Sequence, residues 1–120
     1  MAEHNDLGKK GEELARKFLS NKGFKIVDTN WTFGKDEIDI VAYDKKYLVI
    51  VEVKTRRSNY FGEPYFAVTK KKQEFLIRAA QAYITRKDVD NEARFDIISI
   101  VVTPGGNNIE HIEDAFYPTL

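Results

Sequence analysis

Leu48-Val49-Ile50-Val51 is the stretch that most limits the folds open to this chain. Four apolar residues in an unbroken row leave no polar face, so a strand built from them must be covered on both sides. Neighbouring segments supply the covers. Leu7, Gly8, Gly11, Glu12, Ala15, Phe18 and Leu19 recur at three- and four-residue steps, the spacing of one helix face. Asn5 or Asp6 can cap that helix and Gly23 stops it. A second stripe, Phe75, Leu76, Ala79, Ala80, Tyr83 and Ile84, follows Thr69 as its cap. The change of period from 3.6 to 2 and back predicts helices near 6–22 and 69–86 and strands near 24–31, 37–43, 47–54 and 94–102. The order α-β-β-β-α-β specifies an α/β domain with a central mixed sheet flanked by helices. Trp31-Thr-Phe-Gly34-Lys35, Asp44-Lys45-Lys46 and Pro104-Gly105-Gly106-Asn107 read as turns. Residues 109–112 read as a short edge strand and 115–120 as a tail. The stretch from Thr55 to Val68, with Gly62 and Pro64, is long for a loop in a small domain and is a candidate functional loop.

At 120 residues, a single domain over 1–120 is expected, with a core large enough to need no staples. The chain has no cysteine, which removes disulfides, thiolate metal sites and cysteine nucleophiles. Its two histidines, His4 and His111, lie near opposite ends. No apolar run approaches the ~20 residues that span a bilayer, and the polar start resembles no signal peptide. A cytoplasmic protein with no membrane partner is the expectation. The zero net charge hides a polarity: residues 1–44 carry −2, 45–87 carry +8 and 88–120 carry −6. The basic middle is suited to phosphates, or is an ordinary solvated face.

Four charged residues sit where apolar ones belong. Glu12 lies on the inward stripe of the first helix, between glycines that would let the helix approach a strand closely. Asp39, Glu52 and Lys54 fall inside or beside the two most apolar strands. Glu52 and Lys54, two apart, share a face, and the 37–54 hairpin brings Asp39 beside them. One reading is a strand end that emerges into water with its charges paired. The other is chemical: hard divalent cations such as Mg²⁺ take one or two carboxylates plus water and substrate phosphate, and a neighbouring lysine can orient water or offset charge developing on phosphorus.

Asp39 followed by Glu52-Val53-Lys54 on a hydrophobic strand resembles the D…ExK signature of the PD-(D/E)XK, or restriction-endonuclease-like, superfamily. With Gly8-Lys-Lys-Gly11-Glu12-Glu-Leu-Ala15, Glu37-Ile-Asp39-Ile-Val-Ala42, Val51-Glu52-Val53-Lys54-Thr-Arg56, Ala67-Val68, Lys72 and Arg94-Phe95-Asp96, the chain is most similar to the small YraN-type bacterial family, itself similar to archaeal Holliday-junction resolvases. The resemblance covers nearly the whole chain. It implies Asp39 and Glu52 as metal carboxylates, with the Val53 carbonyl and Glu12 completing a Mg²⁺ (or Mn²⁺) site. It implies Lys54 as the catalytic lysine and Lys72 as a phosphate-facing lysine. Arg56, Arg57, Lys70 and Lys71 are expected to contact nucleic acid. The family pattern places glycine directly before Glu-Ile-Asp; here Asp36 stands there and the glycine is Gly34, leaving open whether Asp36 or Glu37 also touches metal.

The implied function is a metal-dependent endonuclease that hydrolyses DNA phosphodiesters to 5′-phosphates, on branched or structured DNA. A homodimer would suit symmetric cutting of two strands. The alternatives are a non-catalytic nucleic-acid-binding module that keeps the fold, and an interaction domain whose carboxylates are only solvated charges.

Overall fold

The computed structural model describes residues 2–57 and 68–118. Seven elements follow in order: α1 (Ala2–Asn21), β1 (Lys25–Phe33), β2 (Asp36–Asp44), β3 (Tyr47–Arg56), α2 (Lys70–Lys87), β4 (Glu92–Thr103) and β5 (Gly106–Phe116). They form one five-stranded sheet in the order β1-β2-β3-β4-β5. β3 and β4 run parallel, from Tyr47↔Glu92 to Arg56↔Val101, and the other neighbours are antiparallel. A parallel pair needs a long crossover, and α2 lies in it. The mixed α/β sheet flanked by helices agrees with a restriction-endonuclease-like core.

The apolar run behaves as its composition requires. Leu48, Val49, Ile50 and Val51 are each at most 1% exposed. Leu48 and Ile50 join a cluster with Leu76, Ala79, Ala80 and Tyr83 of α2. Val49 and Val51 join Ala15 and Leu19 of α1 on the opposite face. Thr69 caps α2 by accepting from the Lys72 amide at 3.1 Å. α2 ends at Asp88, which takes a left-handed conformation.

Several boundaries differ from expectation: β1 continues through Trp31-Thr32-Phe33 of the expected turn, β3 takes in Thr55 and Arg56 of the expected loop, and β5 starts at Gly106 inside the expected Pro104–Asn107 turn. α1 begins at Ala2, upstream of the expected Asn5 or Asp6 cap. β5 is a full strand of 11 residues rather than a short one over 109–112, and it takes in the start of the expected tail. Its composition hid it: on the sheet edge most of its residues are exposed, so no apolar alternation marks it, and a bulge opposite Phe95/Ile97 with Asp114 at φ 53° breaks the register. Gly62 and Pro64 of the expected loop lie outside the described residues, as do Ala67 and the last two residues of the tail.

A buried polar network ties this edge to the rest. Asp96, fully buried, accepts from Arg94 Nε and Nη2 at 2.9 and 2.8 Å and meets His111 Nε2 at 2.7 Å. Arg94 also reaches Asp44 at 2.9 Å. Lys22, at the end of α1, contacts His111 Nδ1 at 2.8 Å. Burial pushes the Asp96 carboxyl up, but the bonds from His111 and Arg94 outweigh it and hold it below the usual carboxylate range. The Arg94-Phe95-Asp96 stretch is therefore a clamp joining β2, β4 and β5.

Candidate active site

The sheet forks between β2 and β3, and the candidate residues line the fork. Their antiparallel ladder runs from Asp44↔Tyr47 to Ile40↔Val51. Beyond it, β2 stays with β1 through Phe33↔Asp36 while β3 stays with β4 through Arg56↔Val101. The Val53 amide donates to Asp39 Oδ2 at 2.8 Å, so a carboxylate takes the bond at the point where the strands part.

Asp39 also sits where β2 loses its alternation. Ile38 packs in the cluster under α2 and Ile40 in the cluster under α1. Across from Asp39, between the pairs Thr29↔Ile40 and Trp31↔Ile38, Asn30 has φ 50°. This break in alternation leaves Asp39 within electrostatic reach of both Glu52 and Glu12. On the α1 side, Glu12, Glu37 and Asp39 bring one carboxylate oxygen each within 4.8 Å of one another. Asn30 Nδ2 bridges Glu12 and Glu37 at 2.9 Å each. Toward α2 stands Glu52, 4% exposed, with Lys54 and Lys72 ammonium groups 3.9 Å from its Oε2. Its Oε1 is buried with no hydrogen-bond partner among the described residues.

α1 can deliver Glu12 because Gly11 lacks a side chain. A Cβ there would fall on Thr55 of β3, with the Thr55 Cβ only 2.7 Å away. Gly8, expected to serve the same approach, has nothing within 4 Å of its Cβ position.

The electrostatics suit a cation. Burial, then the charge of Glu52, pushes the Asp39 carboxyl up to about 8, with Glu12 adding to the effect against the Val53 amide. Burial also raises Glu52, opposed by Lys72 and Lys54. A divalent ion would relieve the repulsion between two adjoining carboxylates that resist ionising together, and its binding would release the proton they hold. At Lys72, burial works against the charge, but the hydrogen bond to Asp36 and the charge of Glu52 hold the ammonium above the ordinary lysine value.

The family model described as Uncharacterised protein family UPF0102 matches residues 11–100. A UPF0102 protein of Flavobacterium psychrophilum is 53% identical over 117 residues, covering 98% of both chains. One from Phocaeicola vulgatus is 48% identical over 120 residues, covering all of this chain and 99% of the relative. A Bacteroides fragilis relative is 46% identical over the same span, again with 99% of its length covered. The chain belongs to the UPF0102 family.

The UPF0102 match contains every candidate site residue, from Glu12 to Lys72. Glu12, Asp39, Glu52 and Lys54 meet at the fork, as does the Val53 amide. Lys72 is part of the same site, held by Asp36 at 2.8 Å and by Glu52. Asp36, standing at the family's glycine position, therefore engages a lysine. Lys70 and Lys71 are exposed on the first turn of α2, Arg56 is half-buried at the end of β3, and the exposed Arg57 follows it. Glu37, left open as a metal contact, joins Glu12 and Asp39; Asn30 was missed. Glu37 was detectable as the i−2 neighbour of Asp39 on a strand; Asn30 carried no signal, because its role depends on a left-handed backbone inside β1. Among the described residues no helix of this UPF0102 chain is long and apolar enough to cross a membrane.

Proposed function

We propose that this chain is a metal-dependent endonuclease that hydrolyses DNA phosphodiester bonds. The observation that carries the reading is Glu52: a carboxylate nearly sealed from water, one oxygen unpartnered, beside a second carboxylate. An orphaned buried acceptor is costly, and an all-oxygen donor set fits Mg²⁺ or Mn²⁺. Asp39, Glu52 and the Val53 carbonyl would hold the ion, with Glu12 and Glu37 alongside. When bound, the ion supplies Lewis acidity toward a phosphate oxygen and acidifies water.

The chain's own residues do the rest. Lys54, exposed enough to meet substrate, orients the attacking water and offsets negative charge growing on the phosphoryl oxygens. Lys72 takes a non-bridging oxygen when phosphate displaces Asp36 from it. Water's oxygen bonds to phosphorus as it gives up a proton to solvent, the bond to the leaving oxygen breaks, and that oxygen takes up a proton from solvent. Arg56, Arg57, Lys70 and Lys71, near Lys54 and Lys72 in the chain, hold the DNA backbone.

The test is cleavage of linear duplex, single-stranded, flap and four-way-junction DNA with Mg²⁺ or Mn²⁺. Hydrolysis of at least one, lost in Asp39→Asn, is expected. Binding without cleavage of any substrate would favour a non-catalytic DNA-binding module, and cleavage undiminished in Asp39→Asn would place the chemistry elsewhere.

A further inference from the structure

Beside the carboxylates lies a cavity of about 310 Å³ lined by Asp36, Thr69, Lys71, Lys72, Phe75 and Arg78. Lys72 belongs both to this cavity and to the fork, its ammonium 3.9 Å from Glu52 Oε2, so the two adjoin. Asp36 occupies Lys72 at 2.8 Å. No ion pair among the described residues engages Lys71 or Arg78, both exposed, so the lining carries surplus positive charge. Phe75 gives it an aromatic wall, with Lys72 Nζ 5.0 Å from the ring centroid. The rings continue outward: Phe33 lies 6.0 Å from Phe75 at 49°, and Trp31 stacks on Phe33 at 6.3 Å and 8°. Arg86 covers both outer rings at 5.5 and 5.8 Å.

An aromatic wall among cations matches a flat base joined to a phosphate: the ring meets the base and the cations meet the anion. The volume is at the low end for small-molecule sites. It accommodates one nucleotide but not a base pair carrying both backbones. We infer that this cavity seats one unpaired nucleotide adjacent to the scissile phosphate, so the substrate is DNA with a single-stranded segment abutting duplex. The inference rests on reading the fork as a DNA-hydrolysing site and adds the strandedness of what enters it.

The test is binding of the full chain, in EDTA at one fixed salt concentration, to a blunt duplex and to the same duplex with a short single-stranded flap. The flap should bind about tenfold tighter, within the range for one stacked base. 2-Aminopurine at the first unpaired position should be quenched on binding. Lys71→Ala/Arg78→Ala should weaken flap binding about tenfold more than blunt binding and so remove the preference; both side chains are exposed, so folding is not at issue. Phe75→Leu, verified by melting, should abolish the quenching. Equal affinity of the wild type for both DNAs, or equal weakening of both by Lys71→Ala/Arg78→Ala, would overturn the inference. If flap preference persists without cleavage of any DNA, the hydrolase reading falls and the cavity stands. Cleavage without flap preference does the opposite.

Discussion

Two glycines three residues apart on α1 allow the same substitution to give opposite results. Glycine to alanine inside a helix stabilises by about 1 kcal/mol, because alanine loses less backbone freedom on folding. At Gly8 no atom outside the helix approaches the new methyl group within 4 Å, so Gly8→Ala should realise that gain. At Gly11 the methyl meets Thr55. Rotating the hydroxyl away leaves the Thr55 Cβ at 2.7 Å, where ordinary contact starts at 3.4 Å, so α1 and β3 must part by roughly 0.7 Å in a close-packed interior. Overpacking of this kind costs about 1–3 kcal/mol. The propensity gain cancels between the two variants, so their difference isolates the clash. For a domain of this size each kcal/mol moves the melting temperature by about 3–5 °C, and Gly8→Ala should melt about 3–15 °C above Gly11→Ala by circular dichroism. Adding Thr55→Ala to Gly11→Ala should recover part of the loss. Equal shifts of the same sign in both variants would refute the close approach. The displaced α1 should also carry Glu12 away from Asn30 and the Glu37 and Asp39 carboxylates, weakening Mn²⁺ binding in a titration.

Other perturbations address the clamp and the fork. Asp96→Asn should cost about 3–5 kcal/mol at neutral pH, because Arg94 stays buried with its main partner gone. Asp96's folded pKa lies below its unfolded value near 3.8, so its contribution is present above that value and lost as pH falls through the folded one; the gap between wild type and variant in acid denaturation should therefore close below about pH 3.8, and a gap constant with pH would contradict this. Asp39 works in the opposite direction: its folded value, about 8, exceeds the unfolded 3.8, so it erodes stability as pH rises through that window. Without metal, Asp39→Asn should melt above wild type by a margin that grows toward pH 8, and a fixed margin would count against the shift. Lys54→Ala should slow cleavage by about 10²–10³-fold yet keep the rise in melting temperature on adding Mn²⁺; loss of that rise would make Lys54 part of the ion's binding rather than of the chemistry.

What could be read in advance follows from how locally each feature is encoded. The apolar row of β3 and the stripes of α1 and α2 are periodic over many residues, and the sheet with its two covers followed from them. Glu12, Asp39, Glu52 and Lys54 stood out because charge is rare among such neighbours. The exposed edge strand β5 lacked that contrast, so most of it was invisible. Asn30 escaped, and the part of Glu37 stayed open, because the left-handed residue in β1 and the loss of alternation at Asp39 in β2 are products of tertiary packing. Arg94 and Asp96 were noticed as part of a resemblance, but only the fold shows them joined to His111, Asp44 and Lys22 as a structural clamp. Asp36, the departure from the family pattern, proved to be the partner of Lys72.

The position of β4 has a consequence for how the chain is made. Every residue of the proposed fork precedes Glu92, where β4 begins. The ribosome therefore completes α1, β1, β2 and β3 before the strand that pairs with the other side of β3 exists. At 5–20 residues per second, the stretch from Lys54 to Glu92 takes roughly 2–8 s to synthesise. Throughout that interval Leu48-Val49-Ile50-Val51 is an open edge, ready to pair with any other strand it meets. A nascent chain halted before Glu92 thus carries the full set of proposed catalytic side chains on a sheet whose central strand still has one unpaired edge. That edge closes only with the last quarter of the polypeptide, and until then the chain is exposed to strand-to-strand association.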